Sequence, residues 1–338
     1  MPMKRVLPVV AFVVVLILTA CAATPAAMGE PTPQPTMPPN TPSIEPPTTA
    51  PTLPPPPTLP TSTETPTIIA PTEAPLHWQD WPVIPTVSQT AIDIYRRGLA
   101  MGRDPHSFAV LGECESELEW YVGEVRIDGY LAGFDNPARY RLGPDYAYLQ
   151  ETIDNFLPSF SRPRVAAKRG MNAASVLSPL HSDPDLCDVR ESPLECEIRR
   201  SNPTILLISM ETWFYDRPIT TYETYVRQIV EYAIEQGVVP VLVTAADNHE
   251  HSRDLNAVLA KLAYEYDIPL WNFWRAVQAL PGGGVEPLPD ENGFRHLTYA
   301  PNYFDQPLTA AWPVRNLTGL QVLDAIWRAG MGLPPANP

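Results

Sequence analysis

The chain has 338 residues, 43 of them proline, and a formal net charge of −15 at neutral pH. Only two basic and four acidic residues precede residue 76, so nearly all of the negative charge belongs to the rest of the chain. An acidic surface repels phosphates, which excludes nucleic acid and anionic lipid surfaces as expected partners.

Residues 1–20 have the features of an export signal. Lys4 and Arg5 precede an apolar run that is short for a membrane span and ends at small residues before Cys21. This ending resembles the lipobox of bacterial lipoproteins. The resemblance implies cleavage before Cys21 and a lipid on its sulfur; an uncleaved membrane anchor is the alternative. In both cases we expect the remainder to face outward at the bacterial cell surface, attached to the membrane.

Residues 21–75 consist mainly of proline, threonine, serine and alanine. A segment with so few large apolar side chains cannot bury enough surface to offset the entropy of ordering. Because proline favours extended conformations, we predict a disordered or semi-rigid stalk that holds a domain away from the membrane. Glycosylated threonines and a plain spacer both fit this composition.

Residues 76–338 have the length of one large domain and contain nearly all of the aromatic residues. Strand and helix patterns alternate along them. Apolar runs predict strands at 108–111, 164–170, 204–210, 238–244 and 268–274, and apolar residues at helical spacing predict helices at 145–157, from 171, at 222–237, 252–267 and 315–330. Alternation of this kind predicts an α/β fold, a three-layer α/β/α sandwich around a mainly parallel sheet.

Sites in parallel sheets lie at the carboxyl ends of the strands. The segments that follow Leu111, Met210, Thr244 and Trp271 are therefore expected at one rim. Aromatic residues concentrate in these segments, and they either stack on a ligand or belong to the core: Trp213, Phe214, Tyr215, Trp271, Trp274, Tyr299 and Tyr303.

The cysteines divide by their surroundings. Cys187 and Cys196 flank a polar loop that contains a proline, and in an oxidising compartment this favours a disulfide. A metal pair is the weaker alternative, since only His181 lies nearby in the sequence. Cys114 then remains unpaired, which marks it as a candidate reactive thiol.

Cys114 follows an apolar run and a glycine in the stretch FAVLGECESELEW, residues 108–120. From here the domain resembles the SGNH, or GDSL-type, hydrolases, which carry Gly-Asp-Ser at this point. Gly170 in RGMNAASVL is similar to the family's second block, and His296 in LPDENGFRHLTYAP to its last. The resemblance implies a flavodoxin-like sheet, Cys114 as nucleophile, His296 as base and Gly170 as an oxyanion donor. Asp290 and Asn292 are the nearest candidates for the acid that orients His296, and of these we take Asp290, although its spacing differs from that of the family.

Besides Glu113 and Cys114, which replace the Asp and Ser of the family's Gly-Asp-Ser, three positions depart from the family pattern. Glu211 stands where glycine is usual and Trp213 where an asparagine completes the oxyanion hole, and Gly293 stands where the acid precedes His296 by three residues. A nucleophile needs a base within hydrogen-bond reach and the oxyanion needs donors, so each departure weakens the expected activity. Acidic neighbours of Cys114 also raise the pKa that its thiol is expected to have.

Two interpretations of function follow. The domain is an ester hydrolase or acyl-transfer enzyme that acts on extracellular glycan or lipid esters, or it is a non-catalytic relative that binds surface glycans or a protein partner through the same rim. Ser116 is an alternative nucleophile. His249 and His251 with Asp247 could bind a metal but resemble ordinary solvated residues, so no metal or other cofactor is expected.

Overall fold

Four parallel strands form the central sheet in a computed structural model that describes residues 77–122, 124–213, 217–246, 252–289 and 295–336. Their order across the sheet is β1, β5, β6, β7. The strands of the described chain are β1 (Asp104–Gly112), β2 (Glu119–Val122), β3 (Val125–Asp128), β4 (Tyr140–Arg141), β5 (Pro203–Ser209), β6 (Val239–Val243), β7 (Leu270–Trp271) and β8 (Asn302–Tyr303).

The central strands are buried along their length. Every residue of β5 and of β6 is buried, as continuous apolar runs covered on both faces of a parallel sheet require. The last six residues of β1 are buried as well. The strands predicted at 108–111, 204–210 and 238–244 are thereby confirmed, with β1 longer than its apolar run.

The strand predicted at 164–170 is reduced to one bridge beside β1. The Gly112 N–H donates to the Ala166 carbonyl at 3.0 Å, and the Lys168 N–H donates to the Gly112 carbonyl at 3.2 Å. Arg164, whose guanidinium is buried and donates to the carbonyls of Ser116 and Tyr130, directs the start of this segment into the interior instead of along a ladder.

The helices pack on the sheet in groups, α1 with α7 and α4 with α5. This arrangement is compatible with the three-layer sandwich. The helices of the described residues are α1 (Gln89–Ala100), α2 (Leu149–Asn155), α3 (Pro193–Ser201), α4 (Ile219–Glu235), α5 (Ser252–Tyr266), α6 (Phe273–Val277) and α7 (Ala311–Met331). None of them is long and apolar enough to cross a bilayer.

Local hydrogen bonding explains one wrong prediction. The helix expected from residue 171 is only a 3₁₀ turn, Ser175–Leu177. The Asn172 side chain accepts the N–H groups of Ala174 and Ser175, at 3.0 and 3.1 Å. Such bonds offer the backbone an alternative to the helix, which is why asparagine favours turns over helix interiors.

The disulfide between Cys187 and Cys196 is present, with the Cα atoms 5.3 Å apart. It joins the sulfur atoms that a metal pair would need. The intervening segment is only partly a loop, because Ser192 and Glu195 form a capping box and α3 begins at Pro193. Cys196 therefore lies on the first turns of a helix, fully buried.

Candidate functional site

A tight turn follows β1 at the carboxyl end of the sheet. Glu113 leads into a single 3₁₀ turn, Cys114–Ser116, which folds back against the strand. A Cβ atom on Gly112 would lie 2.1 Å from the Ser116 hydroxyl, so only glycine permits this close return. The Ser116 side chain is fully buried, so a substrate cannot reach it, and the prediction of Ser116 as an alternative nucleophile is wrong.

Glu113 ties the ends of two neighbouring strands together. Its Oε1 atom accepts the backbone N–H groups of Glu211 and Thr212, which follow β5, at 2.6 and 2.7 Å. Its carboxyl group is buried, and burial outweighs these hydrogen bonds and raises its pKa to about 7. The role of Glu113 is thus to shape the rim.

Cys114 is a free cysteine, partly buried at this rim. Burial raises the pKa of its thiol well above the usual value, and the charges of Glu115, Glu113 and Glu211 raise it further. A thiol with so high a pKa is mainly protonated at neutral pH, whereas activated cysteine nucleophiles have a lowered pKa.

The tertiary structure brings His296 beside Glu115. The distance between His296 Nδ1 and Glu115 Oε1 is 3.7 Å, and the two side chains are 19 % and 1 % exposed. Glu115 Oε1 also accepts the Leu297 N–H at 3.1 Å, and the His296 ring packs against Trp120 with centroids 5.0 Å apart. An acid does accompany His296, but it comes from the turn that carries Cys114.

Two buried arginines hold this turn from inside. Arg315 on α7 donates to the Glu115 carbonyl at 2.9 Å and pairs with the Glu211 carboxyl. Arg164 donates to the Ser116 carbonyl at 2.6 Å and to the Tyr130 carbonyl at 2.9 Å. Charged donors make strong hydrogen bonds in a dry interior, so the turn is rigidly placed. Sequence reasoning missed both arginines, since nothing in their local pattern marks them.

Gly170 lies on a loop fixed to the same turn. The preceding Arg169 N–H donates to Glu117 Oε1 at 2.7 Å. Gly170 is exposed with φ of +83°, and a Cβ atom there would contact nothing within 4 Å. Its backbone angle, not crowding, is thus what favours glycine here.

The Trp213 side chain packs against α4. Its ring lies 5.7 Å from that of Tyr222 and 5.9 Å from that of Tyr225. Among the other predicted rim aromatics, Trp271 is fully buried and its Nε1 donates to Thr318 at 3.1 Å. Tyr299 is 38 % exposed. The group is therefore divided between core and surface.

Several predicted residues lie outside the described parts of the chain. They are Cys21, Asp247, His249, His251 and Asp290, together with Phe214 and Tyr215 of the aromatic group. Within the described parts, the cluster with metal-ligand spacing is Cys187, Glu191 and Cys196, in which both sulfur atoms belong to the disulfide.

The fold and the rim define an α/β protein with a parallel central sheet and a cysteine, a histidine and buried carboxyl groups gathered at the strand ends. No family model and no curated protein matches the chain.

Proposed function

We propose that residues 76–338 form an SGNH-type domain that hydrolyses or transfers acyl groups of extracellular glycan or lipid esters. The observation that carries the proposal is the Glu115 carboxyl group 3.7 Å from His296 Nδ1, on the one turn that also presents Cys114. Cys114 and Glu115 are adjacent on this turn, so the proposed nucleophile, base and acid belong to one rim at the carboxyl end of a parallel sheet, where such sites form.

The order of strands gives independent support. With the bridge at Ala167 outside β1, the sheet runs from this segment through β1, β5, β6 and β7. This is the order of flavodoxin-like sheets, in which the second strand of the chain lies outside the first. The SGNH resemblance implies the same order.

The proposed reaction uses the Cys114 sulfur as nucleophile. As the sulfur bonds to the ester carbonyl carbon, His296 takes the thiol proton, and Glu115 stabilises the imidazolium through Nδ1. His296 then gives this proton to the departing alcohol, which leaves a thioester on Cys114. Water or an acceptor hydroxyl then attacks the thioester carbonyl as His296 takes its proton. The carbon–sulfur bond breaks, and His296 returns the proton to the Cys114 sulfur as the acid or the new ester leaves. The exposed backbone at Gly170 is the candidate oxyanion donor.

The environment of Cys114 favours a mechanism like that of a serine enzyme. Since burial and neighbouring acids hold the thiol protonated, no ready thiolate exists, and proton transfer must accompany attack. Cys114→Ser should therefore keep much of the activity, which a thiolate enzyme would lose.

The proposed location follows from the amino-terminal segments. A lipid on Cys21 would anchor the chain in the membrane, and the stalk 21–75 would display the domain at the cell surface. Replacing Cys21 by serine should release the protein from the membrane fraction, and membrane retention of this variant would contradict lipid anchoring at that residue.

A second candidate is a non-catalytic domain that binds surface glycans or a protein partner through the same rim. Glu211 favours it, because this buried carboxyl stands where the family has glycine beside the oxyanion hole. Negative charge at this place disfavours a developing oxyanion.

Hydrolysis of short-chain aryl esters by the purified full-length protein separates the two. We expect turnover that Cys114→Ala and His296→Ala each lower by at least about 10²-fold, and an acyl group on Cys114 detectable by mass spectrometry after rapid quenching. Cys114→Ser is the matched control. Turnover unchanged in Cys114→Ala would reject Cys114 as the nucleophile, and no turnover by the folded parent across acyl chain lengths would favour the binding domain.

A further inference from the structure

Arg315 lies between two buried carboxyl groups. One of its terminal nitrogens pairs with Glu211 Oε1, and the other is 3.9 Å from Glu115 Oε2. The side chains of Arg315 and Glu211 are 0 % exposed and that of Glu115 is 1 % exposed. A single guanidinium thus faces two carboxyl groups in a space that water does not reach.

One positive charge cannot neutralise two carboxylates, and an unmatched buried charge is costly. Glu113, a third buried acid, adds to the imbalance. Burial raises the pKa of Glu211 well above its usual value despite Arg315, and the charges of Glu115 and Glu113 act in the same direction. One proton bound by these carboxyl groups would remove the excess negative charge.

Glu115 and Glu211 both face the guanidinium of Arg315, so their carboxyl groups are close neighbours. Within the described parts of the chain, Glu211 Oε2 is buried and receives no hydrogen bond. Ionised carboxyl groups have only acceptor oxygens, so a hydrogen bond between two of them requires a proton on one. We propose that Glu115 and Glu211 form a carboxyl pair that shares one proton, which makes Glu211 a positioning residue for the Glu115 carboxyl group.

The shared proton sets the charge beside His296. The pair with one proton carries a single negative charge, which Arg315 balances, and loss of the proton places a second charge there. Such a pair titrates as a unit. The charged and titratable groups that surround it in the described structure are Glu113, Cys114, Tyr130, Tyr222, His296 and Arg315.

This inference rests on the proposed function only where it treats His296 as a base, because the shared proton can be detected without turnover. The first test is the infrared carbonyl band of protonated carboxyl groups, recorded on the full-length protein at neutral pH. Glu113→Gln serves as the background, since it removes the third acid and keeps an oxygen that can accept both backbone N–H groups.

In this background we expect one band that either Glu211→Gln or Glu115→Gln abolishes, since each variant leaves a lone carboxyl that Arg315 can hold ionised. Glu223→Gln is the control and should leave the band intact, because this partly exposed residue of α4 pairs with Arg227 and Lys261. A band that survives in Glu115→Gln would overturn the proposal, because the proton would then belong to Glu211 alone. Circular dichroism confirms that each variant is folded.

The second test is the pKa of His296, followed by NMR of ¹⁵N-histidine-labelled full-length protein and assigned with His296→Gln. Glu115→Gln should lower this pKa by about one unit, because it removes the adjacent negative charge. Glu211→Gln should change it by less than about 0.3 units, since the charge on Glu115 remains. An equal fall in the pKa of His296 in both variants would overturn the proposal of a shared proton. If both tests give the expected result but the protein turns over no ester, the proposed hydrolase activity is rejected and the shared proton stands.

Discussion

Arg315, near the start of the last helix, donates a hydrogen bond of 2.9 Å to the backbone carbonyl of Glu115 in the turn that carries Cys114. The guanidinium also lies 4.3 Å from the centre of the Tyr130 ring. A helix from the end of the chain thus supports the rim formed by the first strand. The buried polar network makes the geometry of the rim depend on the whole domain.

Loss of Arg315 should be strongly destabilising. Arg315→Met leaves buried carboxyl groups without their cation, and breaking a buried pair typically costs about 3–5 kcal/mol in the free energy of unfolding. The loss should be larger at pH 8 than at pH 5, where the acids can take up protons. Urea denaturation at both pH values measures it.

The control for this change is Arg126→Met. Arg126 pairs with Glu119 on the exposed β2–β3 hairpin, with both side chains about half exposed. Surface pairs contribute roughly 0–1 kcal/mol. Equal losses in the free energy of unfolding for the two variants would show that the Arg315 network contributes no more than a surface ion pair.

Stability should fall as pH rises because of Glu113. Its pKa in the folded protein, about 7, lies above the ordinary value of 4.5, so the folded state binds the proton more tightly than the unfolded state does. Below pH 4.5 Glu113 is protonated in the folded and the unfolded state, so it does not destabilise the fold. As pH rises from there through 7, keeping this carboxyl buried lowers the free energy of unfolding by up to about 3 kcal/mol.

Glu113→Gln should reduce this pH dependence. In the parent, Glu113 Oε1 accepts both backbone bonds from Glu211 and Thr212, and a glutamine carbonyl oxygen can do the same. Denaturation from pH 4 to pH 9 gives the slope. A variant slope as steep as that of the parent would mean that Glu113 is ionised throughout.

The Cys114 thiol should react slowly. Because its pKa is raised by burial and by three glutamates, the thiolate fraction is small, and alkylation depends on the thiolate. At pH 8 we expect iodoacetamide to modify the folded protein at least about tenfold more slowly than the urea-unfolded protein. Equally fast modification would contradict the protonated thiol.

The Cys187–Cys196 disulfide should stabilise the domain modestly. The two residues are nine positions apart, and closing so short a loop contributes about 2–3 kcal/mol in the chain-entropy model. Replacing both by alanine should lower the free energy of unfolding by this amount, with Cys114→Ala as the control for loss of a thiol. Peptide mapping without reduction should find the pair linked.

Elements with a strong local pattern were predictable. The apolar runs of β5 and β6 and the helical spacing in α4 and α7 each report burial from a few neighbouring residues. The cysteine spacing likewise predicted the disulfide. The amphipathic helix α1 and the β2–β3 hairpin were missed, although α1 carries a Ser88 cap whose hydroxyl accepts the Ala91 N–H.

The sequence by itself determined that the strand before Cys114 ends in a tight turn, since Gly112 and the apolar run precede it directly. Only the tertiary structure decided that Ser116 points inward, that Glu115 lies beside His296, and that Arg315 donates to the Glu115 carbonyl. The physical reason is distance along the chain. Helices and strands follow from periodicity over a few residues, whereas a buried ion pair joins side chains whose proximity exists only after the sheet and α7 have packed.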